Sequence, residues 1–582
     1  MGAAPAVLAA LLFAGAPIEW RGWSDDAFQK ATRENRFVIL YLEAVWCHWC
    51  HVMDHDTYGD ARVQALIDAR FVPVRVDSDA RPDLALRYKR YGWPATVIFA
   101  ADGTELAKRR GYIEPAEMVK LLEAIVAHPV PEKEDARSGA IAFAGSPILS
   151  KEIRERLIAA HQKAQDPKLG GLKSVQKLLD ADTAEYAILR ALEKDKKEES
   201  AAKKTISASL QLVDPAWGGV YQYSTHGDWK HPHYEKIMNV QADALRTYTL
   251  AWIAFRDARV LSAAKSIERY VHTFLRDPSG AFFTSQDADL VPGEHATAYF
   301  ALNDKARRKK GVPKVDRHIY ARENGWIIEA LAEHASATKD DKALDEALDA
   351  ARAIAKTRSL DGGGFRHDAD DAGGPYLGDT LAMGRAFLAL YEATQDRDDL
   401  VLASRAGEFI GAHFQGDRDG AGFSTAATAG ARVPQTIDLE ENVSAARFFN
   451  RLYRSTGSPA FRTLAERAMR YLATPAVTER SFTEPGVLIA DRELGSEPLH
   501  VTVVGAKKDK DAKALFEAAL QIATTYRRIE WWDPSEGPLP NPDVQYPTLK
   551  KAAAFICTGG ACSTPIFDPK AIEKTATRLA ER

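Results

Sequence analysis

The stretch Phe37-Val38-Ile39-Leu40-Tyr41-Leu42-Glu43-Ala44-Val45-Trp46-Cys47-His48-Trp49-Cys50 decides the fold of the first part of the chain. Phe37–Leu42 is an unbroken apolar run, the pattern of a central strand buried on both faces. A Cys-x-x-Cys follows at once, and a helical pattern continues through His51–Tyr58. A cysteine at such a strand-to-helix junction meets the helix N-terminus, where the dipole and free N–H groups favour the thiolate. That thiolate attacks a disulfide, and the second cysteine, about one turn on, resolves the mixed disulfide. Cys47 is the expected nucleophile and Cys50 the resolver, with His48 between them favouring the thiolate further.

Around this centre the pattern alternates. Asp25–Asn35 reads as an amphipathic helix, Phe71–Val76 as a second strand and Val97–Phe99 as a third, entered through Gly92-Trp93-Pro94-Ala95-Thr96. Asp102-Gly103 is a hairpin signal, and Pro115 to Ala127 is a closing helix. Residues 17–129 are therefore expected to form one α/β domain. A metal is the rival reading of the cysteines, since Cys47, Cys50, His51 and His55 could offer two sulfurs and two imidazoles. Ligands packed into nine residues would strain a tetrahedral site, so no metal and no other cofactor is expected.

Residues 130–150, with several prolines and charges, read as a linker. Residues 1–16 are almost wholly apolar after Met1 and end in Ala14-Gly15-Ala16, the pattern of a secretory signal. No Lys or Arg precedes the apolar stretch, and Pro17 would follow the cut. The expectation is export to the periplasm or beyond, with a cytoplasmic protein carrying an apolar leader as the alternative.

Residues 151–498 are mostly helical. Five times a helix gives way to a loop with small residues followed by an apolar one: Gly170-Gly171-Leu172, Gly218-Gly219-Val220, Gly280-Ala281-Phe282, Gly363-Gly364-Phe365 and Ala421-Gly422-Phe423. Asp166, Asp214, Asp277, Asp361 and Asp419 lie upstream of them. Helix pairs whose loops turn at one end can close into an α/α toroid, and that end then carries any site. Unrelated helices ending in glycine turns are the alternative. Residues 499–582 read as a small α/β cap holding Cys557 and Cys562. This pair is either redox-active or a structural staple; a zinc site shared with the first pair is a third reading.

These residues together resemble the thioredoxin-like proteins fused to a six-hairpin toroid, the family that includes spermatogenesis-associated thioredoxin-domain proteins. The resemblance rests on Pro17-Ile18-Glu19-Trp20, on Cys47-His48-Trp49-Cys50-His51-Val52-Met53 with His55, and on Gly92-Trp93-Pro94. It rests too on Trp229 with Pro232-His233-Tyr234-Glu235-Lys236, Asp287-Ala288-Asp289, Asn324-Gly325 and Cys557-x-x-x-x-Cys562. It implies a multidomain chain: an N-terminal thioredoxin-like α/β domain, a central (α/α)6 toroid and a small C-terminal α/β region. It also places Trp93-Pro94 at the cis-proline loop, with His48 and Trp49 supporting the redox centre. The carboxylate buried in ordinary thioredoxins falls at Tyr41, and Glu43 is expected on the other face of the strand.

Related toroids are sugar hydrolases and epimerases that work with paired carboxylates or histidines. Their likeness makes Trp229, His233, Glu235, Asp287, Asp289 and Asp379 the residues expected to line a toroid cleft. A role in tying the toroid wall together is the alternative for the same residues. Departures at Asn239–Val240, Glu323 and Glu441–Val443 fall in the toroid, whereas the redox motif is intact. The expected function is thiol–disulfide oxidoreduction with a thiol or disulfide protein partner, the toroid binding substrate or partner. A carbohydrate-active enzyme with a carbohydrate ligand is the second reading, and a non-enzymatic binding or scaffold protein a third. With 46% hydrophobic and 27% charged residues and a formal net charge of −4, composition gives no electrostatic case for nucleic acid or an acidic membrane surface. No apolar run reaches the length that spans a bilayer.

Overall fold

The structure, a computed structural model, describes residues 17–132, 143–371, 373–415, 420–427, 434–479, 483–558 and 561–580. The apolar leader, the middle of the linker, Asp419 and the two glycines between Cys557 and Cys562 lie outside the described residues. The chain divides into two compact units.

The first unit contains the N-terminal domain together with the short segment Asp289–His295. Its elements run α1 (Asp25–Glu34), β1 (Phe37–Glu43), α2 (His48–Asp56), α3 (Ala61–Arg70), β2 (Phe71–Asp77), α4 (Pro82–Tyr88), β3 (Ala95–Phe99), β4 (Glu105–Arg110) and α5 (Pro115–Ala127). The sheet order is β2-β1-β3-β4. β1 is parallel to β2 and antiparallel to β3, and β3 and β4 form a hairpin. The apolar run of β1 is buried because strands flank it on both sides and helices cover both faces. Val38, Leu40 and Leu42 join Val72, Val74, Val97 and Phe99 in one core. Burying such a run on both faces is what a central strand is for. The Trp93–Pro94 peptide at the head of β3 is cis, as the sequence analysis expects.

The second unit holds the remaining described residues. Its elements are α6 (Lys151–Ala164), α7 (Ala181–Leu192), α8 (Lys196–Ser209), β5 (Tyr223–Ser224), β6 (Pro232–His233), β7 (Lys236–Ile237), α9 (Met238–Phe255), α10 (Ala258–Tyr270), β8 (Ser285–Gln286), α11 (Thr297–Phe300), α12 (Asp304–Lys310), β9 (Val315–Asp316), α13 (Ala321–Thr338), α14 (Asp341–Arg358), α15 (Leu377–Thr394), α16 (Arg397–His413), α17 (Leu439–Thr456), α18 (Pro459–Leu472), α19 (Pro475–Thr478) and α20 (Pro485–Gly495). α7 packs on α9, α9 on α13, α13 on α15, α15 on α17, α17 on α20, and α20 back on α7. This inner ring is closed. Each inner helix pairs with an outer one: α7 with α8, α9 with α10, α13 with α14, α15 with α16, α17 with α18, and α20 with α6. The unit is a six-hairpin α/α toroid. Its seam joins the two ends of the helical run: the Leu149 N–H donates to Asp491 Oδ1 (2.8 Å), and Arg154 reaches the same carboxylate (2.9 Å).

The five glycine-containing loops all run from an outer helix to the next inner helix, so they share one end of the toroid. They repeat in detail. The Asp166 N–H donates to the Gly171 carbonyl and the Asp214 N–H to that of Gly219. One ladder bridge flanks each of the first four loops, Gln165 with Leu172, Val213 with Val220, Arg276 with Phe282 and Ser359 with Phe365. Gly170, Gly171, Gly218 and Gly219 all adopt positive φ (66–77°), a conformation that costs glycine nothing. In the last four loops the fourth residue of the following inner helix then pins the loop. Gln241 Oε1 accepts from the Val220 N–H (2.7 Å) and its Nε2 donates to the Val220 carbonyl (2.8 Å). Asn324 holds both backbone groups of Phe282, and Asn442 those of Phe423. Thr380 Oγ1 accepts from the Phe365 N–H (3.0 Å).

After the toroid the chain forms β10 (Leu499–Val504), α21 (Lys510–Leu520), β11 (Arg527–Trp532), β12 (Ala553–Thr558), β13 (Ala561–Cys562) and α22 (Lys570–Ala580). The sheet order is β11-β10-β12-β13, with β10 parallel to β11 and antiparallel to β12, and β12 antiparallel to β13. Strand order and directions repeat those of the first unit. The C-terminal region is therefore a second sheet of thioredoxin-like topology, a relationship its sequence does not display. β10 runs into Gly505-Ala506-Lys507 before α21, with no cysteine there.

Candidate redox site

Cys47 is the N-cap of α2, and the Cys50 N–H donates to its sulfur (3.2 Å) while also reaching its carbonyl (3.0 Å). The two sulfurs form a disulfide. Cys47 is nearly buried, and Trp49 is exposed beside it. The fixed N–H at the sulfur and the helix terminus are the features that stabilise a thiolate once the pair is reduced.

Asp289, in the short segment that belongs to this unit, faces both histidines of the motif. Its Oδ1 lies 2.8 Å from His48 Nδ1 and its Oδ2 3.1 Å from His51 Nδ1. The Gly293 N–H adds a third bond to Oδ2 (2.8 Å). Burial alone would raise the carboxyl; the bonds from His48, His51 and Gly293 outweigh it and hold Asp289 at about 2. An ionised carboxylate only accepts, so Nδ1 carries the proton on both rings. His48 Nε2 is buried with no hydrogen-bond partner among the described residues. His295 covers His48, ring centroids 4.4 Å apart.

Beneath the helix, the Tyr41 hydroxyl donates to the Cys50 carbonyl (3.0 Å). Arg75 lies over the Tyr41 ring (5.2 Å) and bonds Glu43 through two nitrogens (2.6 and 2.7 Å). Glu43 therefore shares the face of Tyr41, contrary to expectation, because residues two apart on a strand point the same way. Arg75 also bonds Asp54 of α2. Burial pushes the Asp54 carboxyl up against the pull of Arg75, so a partly buried carboxylate does stand by Arg75 and Tyr41, supplied by the helix instead of the strand. The alternative metal set is not drawn together: Cys47 and Cys50 bond each other, His51 meets Asp289, and His55 is exposed and paired with Asp56 (2.8 Å).

The toroid candidates fall in separate places. Trp229 is buried, its Nε1 donating to the Leu169 carbonyl (2.9 Å), with its ring where a Cβ on Gly171 would sit. His233 stacks on Tyr223 (4.5 Å) and lies 3.7 Å from Glu235. Glu235 and Asp287 immediately flank the ladder pair of Lys236 with Gln286. Asp379 is fully buried, bonded to the Arg322 N–H (2.9 Å) and to His367 Nδ1 (2.8 Å). Asp289 bonds the histidines of the redox motif. Trp229 and Glu235 are wall residues.

Sequence reasoning assigned no site role to Lys236, Lys177 or Arg307. Lys236 is fully buried; its Nζ donates to Asp214 Oδ2 and the Gly218 carbonyl (both 2.7 Å), and Arg307 bonds the same carboxylate. Lys177 pins Asp166 and the Gly170 carbonyl in the same manner. The signal was the upstream Asp of the first two loops, each of which meets a buried cation.

The chain is similar to several known proteins. Residues 9–128 match the family model Thioredox_DsbH, described as "Protein of unknown function, DUF255". An uncharacterized protein of Caenorhabditis elegans, B0495.5, is 24% identical over 49% of this chain and 44% of its own. Spermatogenesis-associated protein 20 of Homo sapiens is 21% identical, covering 96% of this chain and 89% of its own. The match to the worm protein thus spans less than half of that relative's length, whereas the human protein is matched nearly throughout. The thiol:disulfide interchange protein DsbD of Ralstonia nicotianae is 38% identical over 96 residues, 16% of each chain. Among solved structures, D-mannose isomerase is 13% identical, covering 61% of this chain and 99% of that one at a TM-score of 0.44. Over nearly its whole length the chain resembles the thioredoxin-like proteins fused to a six-hairpin toroid, the group that includes spermatogenesis-associated protein 20.

Proposed function

We propose that the protein is a thiol–disulfide oxidoreductase acting through Cys47 and Cys50, and that its toroid binds the substrate or positions the partner. The observation that carries this reading is Cys47 at the N-cap of α2, its sulfur met by the Cys50 N–H and flanked by a histidine that Asp289 orients. Cys47 attacks or is attacked, Cys50 resolves, and two electrons pass between the pair and a protein disulfide or dithiol. The similarity of this domain to DsbD, a protein named for thiol:disulfide interchange, supports the assignment. An exported location suits both cysteine pairs, which are disulfides here. Reduction of insulin disulfides by dithiothreitol tests the activity. The protein should accelerate it, Cys47→Ser should abolish the acceleration, and Cys50→Ser should accumulate a mixed disulfide at Cys47. A Cys47→Ser variant as active as the parent would refute the reading.

A second reading, a carbohydrate-active toroid, draws on one cluster. Glu323 Oε2 and Asp379 Oδ2, on adjacent inner helices, are buried without hydrogen-bond partners among the described residues. His367, bonded to Asp379, lies within their field and is raised to about 9: burial opposes protonation, and the Asp379 and Glu323 carboxylates outweigh it. Paired acceptors beside an imidazolium suit the hydroxyls of a sugar and acid–base work on it. Calorimetric titration with mannose and cellobiose tests it; heat of binding that Asp379→Asn removes supports it, and none at millimolar sugar counts against it.

A further inference from the structure

We propose that Cys557–Cys562 is a second redox centre, in which an external dithiol attacks Cys562 and Cys557 leaves as a thiolate held by the Tyr546 hydroxyl. The two sulfurs are unlike. Cys562, on edge strand β13, is exposed; Cys557, on β12, is buried. An incoming thiolate therefore reaches Cys562, and the bond that breaks discharges onto the sulfur inside.

That inner sulfur has a donor. The Tyr546 hydroxyl lies 3.9 Å from Cys557 Sγ. Thr502 Oγ1 donates to the Tyr546 oxygen (2.9 Å), which leaves the tyrosine's own proton for the sulfur. Thr502 is in turn 3.0 Å from His500 Nε2, which meets Glu530 Oε2 at 2.7 Å. Arg528 anchors the far side through Glu530 (2.9 Å) and Asp543 (2.7 Å). Burial pushes the Tyr546 phenol up to about 12, so it stays protonated and able to donate beside a thiolate.

The sheet makes this arrangement selective. His500 lies directly across from Cys557, and Thr502 directly across from Glu530. Opposed and alternate residues share a face, so Cys557, His500, Thr502, Arg528 and Glu530 all project from one side. The other side, with Val501, Val503, Ile529 and Ile556, packs on α21 and α22 as an ordinary apolar core. A mere staple needs no buried histidine, glutamate and arginine behind its inner sulfur, since desolvating such groups is costly.

The step balances. One thiolate of the dithiol forms a bond to Cys562 Sγ as the Cys557–Cys562 bond breaks, and the electron pair leaves on Cys557, hydrogen-bonded by Tyr546. The second thiol of the reagent then closes on its own mixed-disulfide sulfur, and its proton passes to the departing Cys562. The dithiol becomes a disulfide, and the pair gains two electrons. A hydrogen bond to the leaving thiolate lowers its basicity, and a less basic thiolate leaves faster.

The C-terminal sheet carries this inference by itself, so it is tested in a Cys47→Ser/Cys50→Ser background that removes the first centre. Reduction of the folded protein by dithiothreitol is followed by thiol labelling and mass spectrometry, with circular dichroism reporting the fold. The parental pair should be reduced at millimolar dithiothreitol, and Tyr546→Phe should slow this about tenfold. Thr502→Val should slow it in the same direction without loss of the fold. In a Cys557→Ser variant, Cys562 should be labelled by a bulky maleimide; in Cys562→Ser, Cys557 should resist it. A parental pair that stays oxidised in the folded protein would overturn the proposal. So would an unchanged rate in Tyr546→Phe, or labelling of Cys557 in preference to Cys562.

Discussion

Asp289 is the single side chain on which most of the redox geometry turns. One carboxylate fixes two imidazoles at once, and both belong to the motif that carries the cysteines. Its bonds fix the orientation of the His48 ring within the motif, and a positioned histidine next to the nucleophilic cysteine is a feature of reactive thiolate sites. Asp289→Asn keeps the shape and removes the charge. The reduced variant should alkylate at Cys47 several-fold more slowly at neutral pH; iodoacetamide kinetics on Cys50→Ser and Cys50→Ser/Asp289→Asn proteins measure this. Equal rates would leave Asp289 as a structural tie alone. The same residue predicts an acid limit. A carboxyl held at about 2 when folded and near 4 when unfolded contributes stability that is complete above about pH 4. That contribution, about 2 kcal/mol, disappears as pH falls through 2. Nothing in the sequence tied Asp289 to Cys47-His48-Trp49-Cys50. The bonded residues are 238 and 241 positions apart, and period-based reading sees no contact at that range.

At the level of elements, the toroid is built from one joint used repeatedly. A glycine loop leaves the outer helix, and a polar side chain at the fourth position of the next inner helix takes the N–H and carbonyl of the residue that follows the loop. Removing such a side chain strands two buried backbone groups, each costing about 1–3 kcal/mol. Asn324→Ala should therefore lower the thermal midpoint of unfolding by several degrees, and Asn442→Ala should do likewise. Asn239→Ala, an exposed position two residues before the equivalent joint at Gln241, should leave it within a degree. Differential scanning calorimetry distinguishes the outcomes, and equal shifts for Asn239 and Asn324 would remove the joint from the account. The repeating glycines and the helical pattern were legible in the sequence, because φ restrictions and amphipathic periods are local. The clasps were not, since Gln241, Asn324, Thr380 and Asn442 share a role without sharing an identity. Asn324 carried family resemblance only, and Asn442 stood within a departure from the family pattern; the geometry gives both their reason. The C-terminal sheet shows the same limit from the other side. Its strands were readable one by one, but strand order is a property of pairing at a distance, and its repeat of the β2-β1-β3-β4 order left no trace in residue types.

Over the whole chain, the unit that contains the toroid holds many buried charges, and their shifts predict how its stability moves with pH. Asp182 is pushed up to about 7, chiefly by burial and with Asp180 adding repulsion. This carboxyl keeps its proton in the folded chain at pH values where the unfolded chain has lost it. It therefore stabilises most at low pH, and that contribution fades as pH rises from about 4 to 7. His334 works the other way: burial lowers it to about 4, so its cost is present at acid pH and is relieved by about 6.5. Above 6.5 the balance rests on His367. Burial disfavours its charge, but Asp379 and Glu323 raise it to about 9. The folded chain keeps that proton after the unfolded chain has released it, so stability is complete below about 6.5 and declines as pH rises toward 9. Lys236 opposes this only at the upper end, because burial lowers it to about 8 despite Asp214, and its effect is confined to higher pH. The unfolding midpoint of the toroid unit should accordingly fall between pH 6.5 and 8 at constant ionic strength. In Asp379→Asn the imidazole loses its main partner, and the fall over that window should flatten even though the variant starts from a lower midpoint. Calorimetric scans of both proteins at half-unit steps of pH decide the matter. A midpoint that rises across the window in the parent, or a slope that Asp379→Asn leaves unchanged, would show that the buried His367–Asp379 pair does not govern the stability of this unit.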